Sequence, residues 1–154
     1  MGQNKFNKYF LILISFFTIY SCQFEWVEER RIYLNKIEFG LSVRDTFKQK
    51  SIKYFSEDSS NNDFILNISN LKFKKKNFYG GSGARAQQIE IIGQLEYSFS
   101  NMTSNYGGKL EISDWIPVNE NNPQAEMTAQ QKMIEELEYL LLEDLLQEYW
   151  LIES

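Results

Sequence analysis

Two places in this chain hold side chains whose type and spacing suit chemistry. The first is Cys22, the only cysteine, directly behind Ile19-Tyr20-Ser21. A lone thiol at the exit of an apolar run, with small Ser21 before it, suits acylation of the sulfur and cleavage at the cysteine. The second is a purely cationic stretch. Lys72, Lys74, Lys75, Lys76 and Arg85 flank Gly80-Gly81-Ser82-Gly83, with Phe73, Phe78 and Tyr79 interleaved. Ammonium and guanidinium groups pair with anions and the rings offer apolar contact, so the pattern suits a ligand that is both anionic and greasy. The same lysines also suit edge protection, because charge on an exposed strand discourages sheet-to-sheet pairing.

Catalysis finds little support. The chain has no histidine. A hydrolase would need carboxylates or a metal held by Asp and Glu, and the acids fall on outward helix and strand positions. No nucleophile elbow, P-loop or paired metal-ligand spacing occurs. The glycine cluster lacks the strand-to-helix context and the lysine of a phosphate loop. The sequence therefore argues against an enzyme and calls for no cofactor and no metal.

The region before Cys22 reads as a targeting segment. Lys5 and Lys8 precede Tyr9–Tyr20, an apolar run broken only by Ser15 and Thr18. A basic start, about a dozen apolar residues and a small exit residue describe a secretory signal. A bilayer span needs about 20 apolar residues, so the run is too short to cross one. Ile19 at minus three and Ser21 at minus one resemble a bacterial lipobox, with Tyr20 bulkier than usual at minus two. The expected organisation is a lipoprotein signal over 1–21, a lipidated tether over 22–30 and a single domain over 31–154. A plain signal anchor with an incidental cysteine is the alternative. Each buried methylene of an acyl chain adds about 0.8 kcal/mol of membrane affinity, so several chains make a lasting anchor. In bacterial lipoproteins an aspartate after the cysteine marks the inner membrane. Here Gln23 follows, which favours the outer membrane.

Charge is segregated. The full chain has 16 basic and 21 acidic residues. Without Lys5 and Lys8 the balance is 14 against 21, or −7. Phe64–Ile89 holds 5 basic residues and no acid, whereas Glu126–Ser154 holds 1 basic and 8 acidic. The acidic total and the exported compartment speak against nucleic acid.

The elements that must carry these groups read as β-α-β-β-β-α, an α+β fold with two helices packed on one face of a four-stranded, mostly antiparallel sheet. Arg31–Phe39 is expected as a first strand and Val43–Phe55 as a helix capped by Ser42, with Phe47, Ile52 and Phe55 inward. Ser56–Asn62 reads as a loop. Phe64–Tyr79 reads as a long strand whose apolar parity switches, which predicts a bulge near Ser69–Asn70. Ala84–Ser100 alternates most clearly, with Ile89, Ile91, Leu95, Tyr97 and Phe99 on one face. Asn105–Gly108 is expected as a turn before a strand over Lys109–Val118. A capping box at Thr128 and Gln131 predicts a helix from Ala129 to Trp150. Its stripe is Met133, Ile134, Leu137, Leu140, Leu141, Leu145 and Tyr149. Glu135, Glu136, Glu138, Glu143, Asp144 and Glu148 are expected in water, and Leu142, Leu146 and Trp150 beyond the stripe are available to a partner.

The whole layout resembles the lipopolysaccharide-assembly lipoprotein family LptE. The residues that carry the likeness are Asn122-Pro123-Gln124-Ala125 running into Met127–Trp150, and Phe64-Ile65-Leu66-Asn67-Ile68 followed by the glycine-tipped basic hairpin. After the cysteine the chain reads Gln23-Phe24-Glu25-Trp26, where family members often carry a Gly-Phe-x-Leu-Arg-Gly-like segment. The resemblance implies a lipid-anchored protein on the periplasmic side of the outer membrane of a Gram-negative bacterium. It implies a plug and assembly partner for an LptD-like β-barrel that also binds lipopolysaccharide. Lys72, Lys74, Lys75, Lys76 and Arg85 would then pair with lipid A or core phosphates, with Phe73 or Phe78 against acyl chains. The alternative is a structural, pilotin-like lipoprotein that assists another outer-membrane channel and holds no lipid ligand.

Overall fold

The computed structural model describes residues 31–58, 63–80, 86–118 and 121–153. The signal, the tether with Cys22, and Arg85 lie outside the described residues. In chain order the elements are β1 (Ile32–Leu34), β2 (Lys36–Phe39), α1 (Asp45–Tyr54) and β3 (Phe55–Glu57). β4 (Ile65–Tyr79), β5 (Ala86–Ser100), β6 (Asn105–Pro117) and α2 (Pro123–Glu153) follow.

Strict alternation makes β5 the centre of the sheet. Its Ile89, Ile91, Leu95, Tyr97 and Phe99 are buried, so each strand face has a settled side. β5 pairs antiparallel with β4 and with β6 along nearly its full length. β2 adds to β4 in parallel, but only opposite Ile65–Ile68. The order is β2-β4-β5-β6, an open α+β sheet that does not close into a barrel. Both helices cover one face. Leu66, Ile68, Leu71, Leu95, Tyr97 and Phe99 pack there with Phe47, Leu141, Leu142, Leu145 and Tyr149. A second cluster joins Ile89, Ile91, Ile116 and Leu137 nearer the other end. Burial of each such Leu or Ile contributes about 1.5–3 kcal/mol. On the opposite face every described side chain is half-buried or exposed.

The parity switch in β4 is a bulge: the register with β5 slips between Ile68 and Asn70. Several other expectations are corrected. Arg31–Phe39 is two strands, because β1 leaves the main sheet to pair in parallel with β3. Phe55 therefore starts a strand where a helix end was expected, and Ser56–Glu57 are strand where a loop was expected. Ser42 does not cap α1. Arg44 holds that position without a side-chain bond, and the Ser42 hydroxyl donates to Asn70 Oδ1 at 2.9 Å. Ile52 is 58% exposed, and Ser51 takes the buried place on α1. Asn105–Gly108 is not a turn but the start of β6. The turn falls at Asn101–Ser104, where Asn101 Oδ1 accepts the backbone N–H groups of Thr103 and Ser104.

The long helix starts six residues earlier than Ala129. Asn122 Oδ1 accepts the Ala125 N–H at 3.0 Å, and Pro123 takes the first helical position, where its missing N–H costs nothing. Thr128 lies inside the helix and its hydroxyl donates back to Gln124 O. Leu142 is buried and not available to a partner, while Leu140 is 43% exposed. Glu138, expected in water, is 1% exposed. Helix α1 lies beside it and supplies two cations, a neighbour that no helical periodicity in α2 reveals.

Candidate functional site

The bulge determines which way the lysines face. Once the phase has shifted, Leu71 and Phe73 turn to the helices, and the residues between them turn to the bare face. The register across the sheet gives successive rows on that face. Lys72 lies beside Gln94 and Glu111, and Lys74 beside Ile92 and Ser113. Lys76 lies beside Glu90 and Trp115, and Phe78 beside Gln88 and Pro117. Alternate residues of a strand stand about 6.7 Å apart, so Lys72, Lys74 and Lys76 form a line about 13 Å long. Lys75 is not in it: it pairs with Ile91 and is exposed on the helix-bearing side. The four lysines of β4 thus divide three and one.

The far end of the line is aromatic. The Phe78 and Trp115 rings are 4.3 Å apart at 56°. Lys76 Nζ stands 4.7 Å above the Phe78 ring and 4.0 Å from Glu90 Oε2. Among the described residues Lys72 and Lys74 have no ion-pair partner. The Glu111 carboxyl on the neighbouring strand is held below the usual carboxylate range. Its hydrogen bond from Gln94 is the main cause; Lys109 adds to it, and the charge of Lys74 contributes. Trp115, 41% exposed, was not singled out from the sequence. Its signal was present: Ile116 points inward, so its strand neighbour must point out.

A second charged cluster lies on the helix side. Glu138 Oε1 accepts from Arg44 Nη2, and Glu138 Oε2 accepts from Lys50 Nζ at 2.8 Å. Arg44 lies over the Phe73 ring at 5.0 Å and Lys50 over Tyr139 at 4.3 Å. With every group paired, this cluster joins α1 to α2 and offers nothing to a ligand. The cationic line instead presents spaced ammonium groups and an aromatic platform to solvent. It is also an edge, because β2 stops opposite Ile68 and, among the described residues, no strand pairs with β4 beyond Asn70 on that side.

No protein-family model matches this chain, and no curated protein sequence matches it. Solved structures do. The chain is similar to rare lipoprotein B from Shewanella oneidensis, with a TM-score of 0.66 and 12% identity over 79% of this chain and 96% of that one. It is similar to the uncharacterized lipoprotein B of Nitrosomonas europaea, with a TM-score of 0.60 and 8% identity over 75% and 80% of the two chains. For a minor lipoprotein of Acinetobacter baumannii the values are 0.55 and 10%, over 75% and 88%. At these identities the likeness is one of fold. The chain has the fold of rare lipoprotein B proteins of Gram-negative bacteria, which is consistent with the LptE resemblance of its sequence.

Proposed function

We propose that this chain is an outer-membrane lipoprotein of lipopolysaccharide transport, anchored through acylated Cys22 and acting as plug and assembly partner of an LptD-like β-barrel. In this reading it binds lipopolysaccharide without catalysing a reaction. Lys72, Lys74 and Lys76 engage lipid A or core phosphates, Phe78 and Trp115 lie against the apolar or sugar portion, and Lys75 and Arg85 add charge at the hairpin end. The supporting observation is the line of three lysines ending on an aromatic pair, on the bare face of a rare lipoprotein B-type sheet. Phosphate pairing by spaced ammonium groups is charge-assisted and weakens with salt.

The test uses purified full-length protein and labelled lipopolysaccharide. Wild type binds. Replacing Lys72, Lys74 and Lys76 together with Glu weakens binding at least tenfold, whereas K75E on the other side of the sheet changes it much less. Unaltered binding by the triple variant removes the ligand role. The edge position of β4 favours a second reading, a structural lipoprotein whose lysines only deter strand pairing. On that reading the triple variant aggregates through β4, and wild type binds no lipopolysaccharide. Co-purification of a barrel with the membrane-extracted protein tests the partner.

A further inference from the structure

The backbone groups that β4 turns outward can be assigned from its neighbours. Before the bulge, Phe64 O accepts from Asn35 and Ile68 O accepts from Gly40, so even-numbered residues face away from β5. After the bulge the odd-numbered residues do. The Leu71 N–H meets the Ser42 hydroxyl at 3.4 Å, and the register with β5 then runs unbroken from Asn70 to Phe78. In an antiparallel ladder, alternate residues point both N–H and C=O away from the partner strand. Phe73, Lys75 and Asn77 therefore present their backbone groups on the open edge. Among the described residues, no strand or loop backbone bonds to them.

Such an edge is a template for another strand, and the side chains around it select which. Lys72, Lys74 and Lys76 stand on the bare side and Lys75 on the other, with no acid from Leu71 to Tyr79. Acids on the strands beyond do not cancel them. Glu90 lies 4.0 Å from Lys76, while Glu111 is held by Gln94 and Lys109. Asp114 shares the row of Lys75 and Ile91 but stands two strands away, about 9.6 Å. On the helix side Arg44 over Phe73 is a further cation, and Glu138 is taken by Arg44 and Lys50. The other edge strand, β6, mixes Lys109 with Glu111 and Asp114 and selects no sign. Two β4 edges brought together antiparallel would set Lys74 opposite itself or opposite Lys76, and like charges directly opposite are destabilising. This argues against a second copy as the occupant.

We propose that the β4 edge from Phe73 to Asn77 receives an extended acidic segment of another protein as an added strand. Carboxylates at alternate positions of that segment lie opposite Lys72, Lys74 and Lys76, while its backbone bonds to Phe73, Lys75 and Asn77. The lysines then do more than deter pairing: they turn away neutral and basic strands and admit an acidic one. The inference needs neither the Cys22 anchor nor a lipid ligand. On the barrel-partner reading the segment belongs to the barrel, and the plug role is unchanged. Carboxylates of the segment and phosphates of a lipid draw on the same three lysines, so the two occupants compete.

The probe is a synthetic peptide, acetyl-Thr-Glu-Val-Glu-Val-Glu-Thr-amide, with a Lys-for-Glu analogue as control, added to the purified full-length protein. Amide hydrogen exchange is read by NMR. The acidic peptide is expected to slow exchange at Phe73, Lys75 and Asn77 about tenfold. It leaves Lys74, whose N–H faces β5, unchanged, and the basic analogue has no effect. N77P removes one outward N–H and touches no lysine, and proline is tolerated on the outer side of an edge strand, so peptide binding should weaken about fivefold. Lipopolysaccharide binding by N77P stays at the wild-type level. Absence of peptide binding, or binding that slows no amide on this edge, overturns the proposal and leaves the lipid reading standing. Equal peptide affinity of a folded N77P and wild type also overturns it; if N77P does not fold, the exchange of wild type decides alone. Slow exchange at Phe73, Lys75 and Asn77 before any peptide is added overturns it too, since the chain then covers its own edge.

Discussion

At the scale of single residues, buried polar groups hold α2 to its neighbours. Glu138 is enclosed by Arg44 and Lys50, and removing one member of a buried ion set costs more than the set contributes, because the others lose their compensation. Arg44 is 41% exposed and so recovers part of its hydration. E138Q is expected to destabilise the fold by about 2 kcal/mol, read as a lower urea midpoint at unchanged slope. Tyr97 is a different case. Its hydroxyl donates to Glu148 Oε2 at 2.8 Å, and burial, reinforced by that carboxylate, pushes its ionisation well above the ordinary tyrosine value. Below about pH 10 the hydroxyl is protonated in both states, and its contribution is fully present. Above that the unfolded chain releases the proton while the folded one keeps it, so the contribution is lost as pH rises. The stability advantage of wild type over Y97F should therefore shrink between about pH 9 and pH 11 in denaturant titrations. A constant advantage over that range would contradict the assignment.

At the scale of elements, the bulge in β4 and the approach of β2 decide the geometry. A Cβ at Gly40 would stand 2.0 Å from Ser69 O, backbone against backbone at the bulge. G40A must push the end of β2 off β4, and a loss of about 3 kcal/mol in thermal or chemical unfolding is expected. Alternation and parity identified β4, β5 and the bulge, since a period of two is a local property. The division of Arg31–Phe39 into β1 and β2 was not legible. Both halves are short and apolar, and only the return of β3 after α1 gives β1 a partner. The start of α2 was legible from Asn122-Pro123, but Thr128 and Gln131 offered a competing cap on the same physical logic. In the folded chain, with Asn122 already bonded to Ala125, Thr128 lies within the helix.

At the scale of the whole molecule, the cationic line runs along β4 away from the end where Tyr149 meets Phe64 and Phe99. If Cys22 carries the lipid, C22S should leave the domain folded, block cleavage at that position and remove the protein from the outer-membrane fraction, as immunoblots of fractionated cells would show. Wild-type maturation and outer-membrane fractionation of C22S would end the lipid-anchor reading. The sequence alone determined the fold class and the presence of a cationic stretch in β4, because periodicity, composition and motif spacing are written along the chain. It also determined that lysines would gather near one strand end. Only the tertiary structure brought Trp115 beside Phe78 and enclosed Glu138 between two cations. Each of those outcomes depends on a residue tens of positions away. The rows across paired strands and the burial of a charge follow from which elements meet, and that is a property of the packed chain.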